Sequence, residues 1–470
     1  AATSRGGLSP FQEQSLDLRF CRWLLILRSF MKLNRLRRNV YQLICDKISA
    51  IVRFSDEVRY YGTKEGGDDM LGPMIAKATP SFATVDLSDG FSELQPSSAA
   101  MCMHVFNGIF NSNLDIQNLL MTLKKRLCRR DRVVVVLYNP YLRWLYRLLD
   151  RLGIRQGPAA HTFITETDLQ NFAKISGFQV VTTRYACGFC FNLFGIGRVL
   201  DRIIRLIPGF RNISLVYIAV LRPIIAESEK PGLSVIVPAR NERGNISNAI
   251  QRLSDRLDCP LEIIFVEGHS TDNTWDEIQR VVSEYKGPFS LRTLRQTGKG
   301  KMDASRLGLL ESKYEILTIL DADLTMPPEM LGRFYAAYCE GHADFVNGSR
   351  LVYPMEGDAM RFLNRLGNIF FAKAVSYVLG VRLGDTLCGT KLFCKADYKR
   401  FCEWRSEFGD FDPFGDFELL FPAAILGLGI VDIPIAYRDR TYGSTNISRF
   451  RHGLMLLKMV AIGFFRIKSR

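Results

Sequence analysis

Residues 316–330 read ILTILDADLTMPPEM, and this stretch decides the fold of the second half of the chain. Four apolar residues predict a buried strand, and Asp321 and Asp323 follow at its carboxyl end. Because alternate residues of an extended chain point the same way, both carboxylates can approach one cation. A hard divalent ion, Mg²⁺ or Mn²⁺, takes such oxygen ligands and bridges to diphosphate oxygens. The alternative is a capped strand-to-turn junction, in which Asp323 bonds the backbone before Pro327 and Pro328.

Two earlier strands of the second half also end in polar residues. The segments VIVPARNERGNI and IIFVEGHSTDNTWDEI place Glu242 after the first strand and Glu267, Ser270 and Asp272 after the second. Ligands of open parallel sheets bind at the carboxyl ends of the strands, where acidic groups suit ribose hydroxyls and a base edge. Capping of the following helices is the alternative for each position. Three acidic strand ends in this order favour a nucleotide-binding crevice.

Short β-branched runs alternate with helical segments along the whole chain, which predicts parallel α/β layers. Four runs occur in each half: SAAMCMHVF, RVVVVLY, FQVVTTRY and ISLVYIAVL, then LSVIVPA, LEIIFVEG, EILTILDAD and IVDIPIAY. A polar stretch at 226–232, AESEKPG, separates the two sets. The sequence therefore predicts two Rossmann-like three-layer domains, residues 1–225 and 226–470.

The composition is that of a folded protein with an excess of positive charge. The 470 residues are 47% hydrophobic and carry a formal net charge of +14. We find no zinc-finger spacing, helix-turn-helix signal or aromatic RNA-binding signature, which argues against nucleic acid as the partner. Between residues 18 and 53 nine basic residues face one acid, and arginines recur every fourth position from Arg143 to Arg155. These stretches suit an anionic membrane surface, with a solvated helix face as the alternative.

No run reaches the roughly 20 apolar residues that a spanning helix requires. Residues 453–465 are too short, but the basic RIKSR that follows them is typical of an interfacial helix. Eleven cysteines without an even framework fit a reducing compartment. We therefore expect a cytoplasmic protein, peripherally bound at the cytoplasmic face of a membrane. The chain begins at Ala1 and not at methionine, which leaves open an upstream segment.

The order VPARNE, VEGHSTDNT, GKGKMDASRLG, DADLT and NGSR resembles the family 2 glycosyltransferases with a GT-A fold. The later segments DTLCGTKLF, FGDFELL and IPIAYRDRTYGSTNI are similar to the dolichyl-phosphate mannosyltransferase and polyprenyl-phosphate glycosyltransferase branch. The resemblance runs from about residue 233 to 450. It implies metal-dependent, inverting transfer of a hexose from a nucleotide sugar to a lipid phosphate, as in cell-envelope biosynthesis.

The resemblance also implies roles for individual residues. The expected nucleoside contacts are Pro238, Ala239, Glu242, Glu267 and Asp272. The diphosphate and metal would be held by Asp321, Ala322 and Asp323. Contacts with the diphosphate or the acceptor phosphate are expected from Arg350, Arg361, Lys391 and Arg440, because such cations bind oxyanions.

The acceptor decides whether the reaction needs a base. A lipid phosphate is already ionised and needs only positioning and charge stabilisation. For a hydroxyl acceptor, Asp416 or Glu418 is the candidate base, with a capped helix start as the alternative for both. Thr325 stands where some relatives have a metal-binding glutamine, which leaves the third metal ligand open.

The first half resembles class I S-adenosylmethionine-dependent methyltransferases, over segments that include DEVRYYGTKEGGDD and TETDLQNFAKISGFQVV. The cofactor motif departs from the family, because Tyr60 and Tyr61 replace the acid and its neighbour, and Gly62, Gly66 and Gly67 have the wrong spacing. Asp86 could still meet a ribose. We therefore expect a structural or acceptor-positioning domain and not an S-adenosylmethionine enzyme. The alternatives are a bifunctional glycosyltransferase and methyltransferase, and a non-catalytic lipid-surface scaffold.

Overall fold

The computed structural model describes residues 33–62, 69–79, 81–85, 101–152, 155, 160–207, 209–253, 257–354, 362–409, 415–440, 442 and 449–468. Within them the chain is an α/β protein with two mixed sheets, one in each half. All eight strands predicted from the β-branched runs are present. Among the described residues, no helix combines the length and the hydrophobicity needed to cross a bilayer.

The first sheet has the strand order β2-β1-β3-β4-β6-β5. Its strands are β1 (Glu57–Tyr61), β2 (Phe82–Val85), β3 (Cys102–Asn107), β4 (Arg132–Tyr138), β5 (Phe178–Ala186) and β6 (Val216–Pro223). Strands β1 to β4 are parallel, whereas β6 runs antiparallel to its neighbours β4 and β5. The four consecutive valines of β4 are all buried, as expected for a strand covered by helices on both faces.

The helices of the first half are α1 (Leu33–Val52), α2 (Leu71–Ala76), α3 (Ile109–Ser112), α4 (Ile116–Lys124), α5 (Arg143–Arg151), α6 (Glu166–Ile175) and α7 (Ile196–Leu206). Short 3₁₀ turns occur at Pro140–Leu142, Leu193–Gly195 and Phe210–Ile213. The arginines that recur from Arg143 to Arg151 are exposed on α5. Residues 18–32 of the basic stretch lie outside the described residues.

The second sheet has the strand order β13-β11-β12-β10-β7-β8-β9. Its strands are β7 (Leu233–Ala239), β8 (Leu261–Glu267), β9 (Ser290–Arg295), β10 (Ile316–Ile319), β11 (Phe345–Ser349), β12 (Lys391–Cys394) and β13 (Ile430–Pro434). Strands β10, β7, β8 and β9 are parallel, and β12 is antiparallel to both β10 and β11. The carboxyl ends of β7, β8 and β10 therefore meet at one edge of the sheet.

The helices of the second half are α8 (Ile246–Leu253), α9 (Thr274–Glu284), α10 (Lys301–Glu311), α11 (Leu331–Cys339), α12 (Phe362–Leu379), α13 (Lys395–Phe408), α14 (Asp416–Ile425) and α15 (Arg449–Gly463). The 3₁₀ turns are Arg243–Asn245 and Pro328–Met330, and a π-helical turn, Phe464–Lys468, follows α15. One apolar core packs against each face of the sheet. The two cores hold the sheet, and therefore the carboxyl ends of its strands, in place.

A buried group of charged side chains joins the two halves, and we call it the interface cluster: Arg129, Arg132, Arg222 and Asp344. The Asp344 carboxylate accepts from Arg132 Nη2 at 2.7 Å and from Arg222 Nη1 at 3.3 Å. Arg129 Nε lies 3.7 Å from the same carboxylate. The three arginines belong to the first half and the aspartate to the second, so the interface cluster is a buried charged contact between the two halves.

The tyrosines that replace the cofactor acid in the first half are both buried. The Tyr60 hydroxyl donates to Asp69 Oδ2 at 2.6 Å and accepts from Asn107 Nδ2 at 2.9 Å. Tyr61 is hydrogen-bonded to His104 Nδ1 at 2.9 Å. The end of β1 is thus filled by the protein's own side chains. The other predicted cofactor positions, Gly66, Gly67 and Asp86, lie outside the described residues.

Candidate functional site

Asp321 and Asp323 lie in the loop after β10, at the edge where β7 and β8 also end. Leu324, the next residue, has a φ of 53°, a left-handed conformation that leucine rarely adopts. The Thr325 backbone N–H and hydroxyl donate to Asp323 Oδ1 at 3.1 and 2.9 Å. The turn is therefore capped by Asp323, but only one of its carboxylate oxygens is used for this purpose.

Two cations neutralise these carboxylates. The Lys301 ammonium, at the first residue of α10, forms an ion pair with Asp321. Arg440 Nη2 donates to Asp323 Oδ2 at 2.6 Å. Burial acts to raise the pKa of Asp321, but Lys301, Lys391 and Arg350 together outweigh burial and hold that pKa below its usual range. The side chains of Asp321 and Asp323 are 29% and 13% exposed, so both remain open to a ligand.

Gly389 brings backbone directly against the Lys301–Asp321 pair. A Cβ atom at this position would overlap both Asp321 Oδ2 and Lys301 Nζ. A larger residue here would displace these two side-chain ends, which gives the CGTK segment a physical role beside the first aspartate.

Arg440 also connects the DADLT loop to the end of β7. Its Nη1 lies 3.2 Å from Glu242 Oε1, while Asn245 Nδ2 donates to Glu242 Oε2 at 2.7 Å. Burial raises the pKa of Glu242 to about 7, although Arg440 acts in the opposite direction. Two loops and the segment after β13 therefore meet on one guanidinium.

The acidic residues after β8 make local hydrogen bonds. Glu267 Oε1 accepts from the Ser270 N–H at 2.6 Å. Asp272 accepts from the Thr274 N–H and the Tyr442 hydroxyl, each at 3.2 Å. Burial acts to raise the pKa of Asp272, but its hydrogen bonds outweigh burial and lower that pKa. The hydrogen bond from the Thr274 hydroxyl has the largest effect among them. Both acids thus order the loop at the edge of the sheet, whereas the N-cap of α9 is Asn273, which makes no side-chain capping hydrogen bond.

The remaining nucleotide-site predictions fall at the same edge. Pro238 is half-buried at the end of β7, and Ala239 and Ala322 are buried. Because these proline and alanine side chains are small, a flat ligand could approach the backbone at this edge. Their role in binding a nucleoside stays a prediction.

Arg350, at the end of β11, is held by another side chain of the protein. Its Nε and Nη2 donate to Asp385 Oδ2 and Oδ1 at 2.7 and 3.0 Å, a bidentate pair. The guanidinium lies over the ring of Tyr437, 5.6 Å from its centroid. Despite burial, Asp385 raises the pKa of Arg350. Arg361, the other arginine predicted to bind phosphate, lies outside the described residues.

The two candidate bases occupy different surroundings. Asp416 Oδ1 accepts from the buried Lys391 Nζ at 2.6 Å. Glu418 accepts from Arg306 Nε at 3.0 Å and from Arg405 Nη1 at 2.8 Å, with its side chain only 6% exposed. The second oxygen of Glu418 also contacts Arg306. This geometry favours a structural role for Glu418 and leaves Asp416 as the better placed of the two.

The structure therefore brings together Glu242, Asp321, Asp323 and Arg440, all of which the sequence predicts. Lys301 was missed as a site residue, although it stands in the GKGK segment that carries the resemblance. The described part of the chain contains no group of three or more His, Cys, Asp or Glu side chains arranged to hold a metal ion. A cation at Asp321 and Asp323 would therefore need oxygen ligands from elsewhere.

Comparison with known proteins finds similarity in the second half of the chain. Residues 234–401 match the model of glycosyl transferase family 2. A dolichyl-phosphate hexose transferase of Haloferax volcanii is 28% identical over 228 residues, which cover 48% of this chain and 92% of that protein. A dolichol-phosphate mannosyltransferase of Pyrococcus furiosus is 34% identical over 122 residues, 26% of this chain and 33% of that protein.

Solved structures of glucosyl-3-phosphoglycerate synthase from Mycobacterium tuberculosis also align with this chain. One of them has a TM-score of 0.36 and 17% identity, and the alignment covers 50% of this chain and 80% of that one. The family match and the sequence relatives together support sugar transfer by the second half. The protein is therefore an enzyme that transfers sugars.

Proposed function

We propose that this glycosyltransferase is a hexosyltransferase of GT-A fold that moves a hexose from a nucleotide sugar to a polyprenyl phosphate. One observation carries the proposal: at a single sheet edge, Asp321 pairs with Lys301, and Asp323 shares Arg440 with Glu242. Such a constellation suits a diphosphate and its counter-ion. The names of the two sequence relatives, which are transferases to dolichyl and dolichol phosphate, support the choice of acceptor.

The chemistry of the two aspartates fits a divalent cation. Asp321 and Asp323 would supply carboxylate oxygens, the ligands that Mg²⁺ and Mn²⁺ prefer, and diphosphate oxygens and water would complete the shell. When bound, the cation would neutralise charge on the departing nucleoside diphosphate. The partial exposure of both carboxylates is compatible with this ligand set.

Lys301 and Arg440 would then change partners. Without a ligand, each neutralises one aspartate. A divalent cation and a diphosphate bring opposite charges into the site together, so the ammonium and the guanidinium can turn to phosphate oxygens without leaving charge uncompensated. Arginine suits this task because its planar fork binds oxyanions in pairs.

Transfer itself would be one displacement at the anomeric carbon. The ionised oxygen of the acceptor phosphate forms the new bond while the bond to the nucleoside diphosphate breaks, which inverts the configuration. No side chain needs to remove a proton from such an acceptor. For a hydroxyl acceptor, Asp416 would be the base, because both oxygens of Glu418 are held by arginines.

For the first half, residues 1–225, we propose a Rossmann-like, methyltransferase-like domain that supports residues 226–470 and does not transfer methyl groups. The contacts of Tyr60 with Asp69 and Asn107, at the strand end where a cofactor acid is expected, support this role. The interface cluster supports it as well, because it fixes the first half to the catalytic half. Calorimetry with S-adenosylmethionine tests the alternative, and micromolar binding would favour the bifunctional enzyme.

The net positive charge and the lipid acceptor together support a place at the cytoplasmic face of an anionic membrane, where the protein would bind peripherally. Nucleotide sugars would then meet the lipid phosphate at the membrane surface.

The decisive experiment incubates the protein with UDP- and GDP-sugars, Mn²⁺ and a polyprenyl phosphate, and measures nucleoside diphosphate release. We expect Asp323→Ala to reduce release by about a hundredfold or more, because it removes a metal ligand and the partner of Arg440. Asp258→Ala is the matched control, since its side chain is 94% exposed and far from catalysis in our proposal. Full activity of a folded Asp323→Ala protein would refute the proposed site.

A further inference from the structure

Helix α7 carries its apolar stripe on the outside of the protein. Ile196, Val199 and Ile203 lie on one face because residues three and four apart are neighbours on a helix. Their exposed fractions are 61%, 54% and 47%. A surface helix of a globular protein normally turns such a stripe toward the core.

The inner face of α7 is fixed by polar and close backbone contacts. Asp201 is buried, and its carboxylate accepts from the Gly188 N–H and from Arg205 Nε, each at 2.8 Å. A Cβ atom on Gly197 would overlap the Phe191 carbonyl oxygen, so the helix packs tightly at this point. These contacts set the rotation of the helix, and the outward stripe follows from that rotation.

Exposed apolar residues also lie just before and just after α7. Phe194, just before α7, is fully exposed and has a φ of 54°, a conformation that costs energy for a residue other than glycine. After the helix, Phe210 and Ile213 are 58% and 50% exposed. We call the face made by Ile196, Val199, Ile203, Phe194 and Phe210 the α7 face.

The charges around the α7 face are positive. Arg198 and Arg202 are exposed on α7, and among the described residues neither forms an ion pair with an acid. The single acid of the helix, Asp201, is buried and already paired with Arg205. Apolar residues flanked by unneutralised cations suit a surface in which a layer of anionic groups covers an apolar layer.

One cation of the second half, Lys468, lies near the end of α7 through Tyr377. The Tyr377 hydroxyl of α12 donates to the Leu206 carbonyl at the end of α7, and Lys468 Nζ lies 4.8 Å from the centre of the Tyr377 ring. Burial lowers the pKa of Lys468 to about 8, and nearby arginines, Arg211 first among them, lower it further. The positive charge around α7 is therefore shared by both halves.

We propose that the α7 face docks on an anionic lipid bilayer, with its apolar residues in the headgroup boundary and Arg198 and Arg202 at lipid phosphates. The first half is then a membrane platform that presents the catalytic half to its lipid acceptor, an inference that rests on the proposed function for the acceptor. Helices with this distribution of residues lie in the plane of the interface.

The test is flotation of the full chain with vesicles of phosphatidylcholine, with and without phosphatidylglycerol. We expect binding that requires the anionic lipid. The double variant Val199→Glu/Ile203→Glu should weaken it by about tenfold or more, because acidic side chains oppose apolar insertion. The variant Arg198→Gln/Arg202→Gln should also weaken it, by about thirtyfold, since it removes two basic residues that attract the anionic surface.

Leu114→Glu is the matched control, because this leucine is 85% exposed in the first half but does not belong to α7. A Phe194→Trp variant should show a blue shift of its fluorescence when anionic vesicles are added. Vesicle binding of the Val199→Glu/Ile203→Glu variant equal to that of the unchanged protein would overturn the proposal. The proposal would also be overturned if light scattering showed the unchanged protein as a dimer and this variant as a monomer that still binds vesicles. The α7 face would then contact a second copy of the chain.

Nucleoside diphosphate release with a short, water-soluble acceptor separates this proposal from the proposed function. We expect the α7 variants to retain that activity while they lose vesicle binding. If vesicle binding depends on α7 but no sugar is transferred, only the proposed function fails.

Discussion

Replacement of Asp344 by asparagine tests whether the interface cluster holds the two halves together. The substitution keeps the volume of the side chain and removes its charge. Arg132 and Arg222 each have side chains that are 1% exposed, and Asp344 is the single acid that pairs with either of them in the described chain. In the variant, two buried guanidinium groups lose their counter-charge.

The expected magnitude follows from these contacts. Removal of one partner of a buried ion pair costs about 3–5 kcal/mol. The lower value applies here, because Arg132 keeps its hydrogen bond to the Gly427 carbonyl and Arg222 keeps those to the Gly341 and His342 carbonyls. A loss of about 3 kcal/mol corresponds to roughly a hundredfold change in the unfolding equilibrium constant.

Urea unfolding followed by circular dichroism measures this loss, with separate transitions for the halves if the variant uncouples them. Asp258→Asn provides the control, because its ion pair with Lys230 is exposed and should contribute nothing measurable. If Asp344→Asn loses less than about 1 kcal/mol and unfolds like the unchanged protein, the interface cluster does not hold the halves together.

Two further predictions concern carboxylates of the second half. Burial raises the pKa of Glu242 to about 7, so between its ordinary pKa and about 7 the folded chain still holds a proton that the unfolded chain has released. The free energy of unfolding should therefore fall as pH rises from about 5 to 8. Glu242→Gln should flatten that part of the plot of unfolding free energy against pH. An unchanged slope in the variant would contradict the assignment. Glu418→Gln should lose about 3 kcal/mol of stability, because Arg306 and Arg405 lose their shared acid. The pH profile of the remaining activity should keep its shape. Loss of one limb of that profile would instead indicate that Glu418 acts as a base.

The strands and the site edge could be predicted because their signals are local. Buried strands read as runs of β-branched residues, and a strand that ends in acids places them at the ligand edge whatever the rest of the chain does. Asp321 and Asp323 could therefore be located from fifteen residues of sequence. The hydrogen bonds that Asp272 and Asp323 accept are equally local, since the donors lie within two residues.

The partners of these acids could not be predicted, because they come from distant parts of the chain. Arg440 is 117 positions from Asp323, and Glu418 meets Arg306 across 112 positions. Asp416 and Glu418 look equivalent in the sequence, but side chains two positions apart on a helix point to different sides. Only packing shows that one meets Lys391 beside the site and the other is enclosed by arginines.

The alternation of strands and helices and the acidic strand ends could be predicted from the sequence, because each depends on residues close together in the chain. The tertiary structure decided which cation neutralises which carboxylate, how Asp344 joins the halves, and that α7 turns its apolar stripe outward. A helical pattern shows that a stripe exists, whereas the direction it faces depends on the contacts of the opposite side.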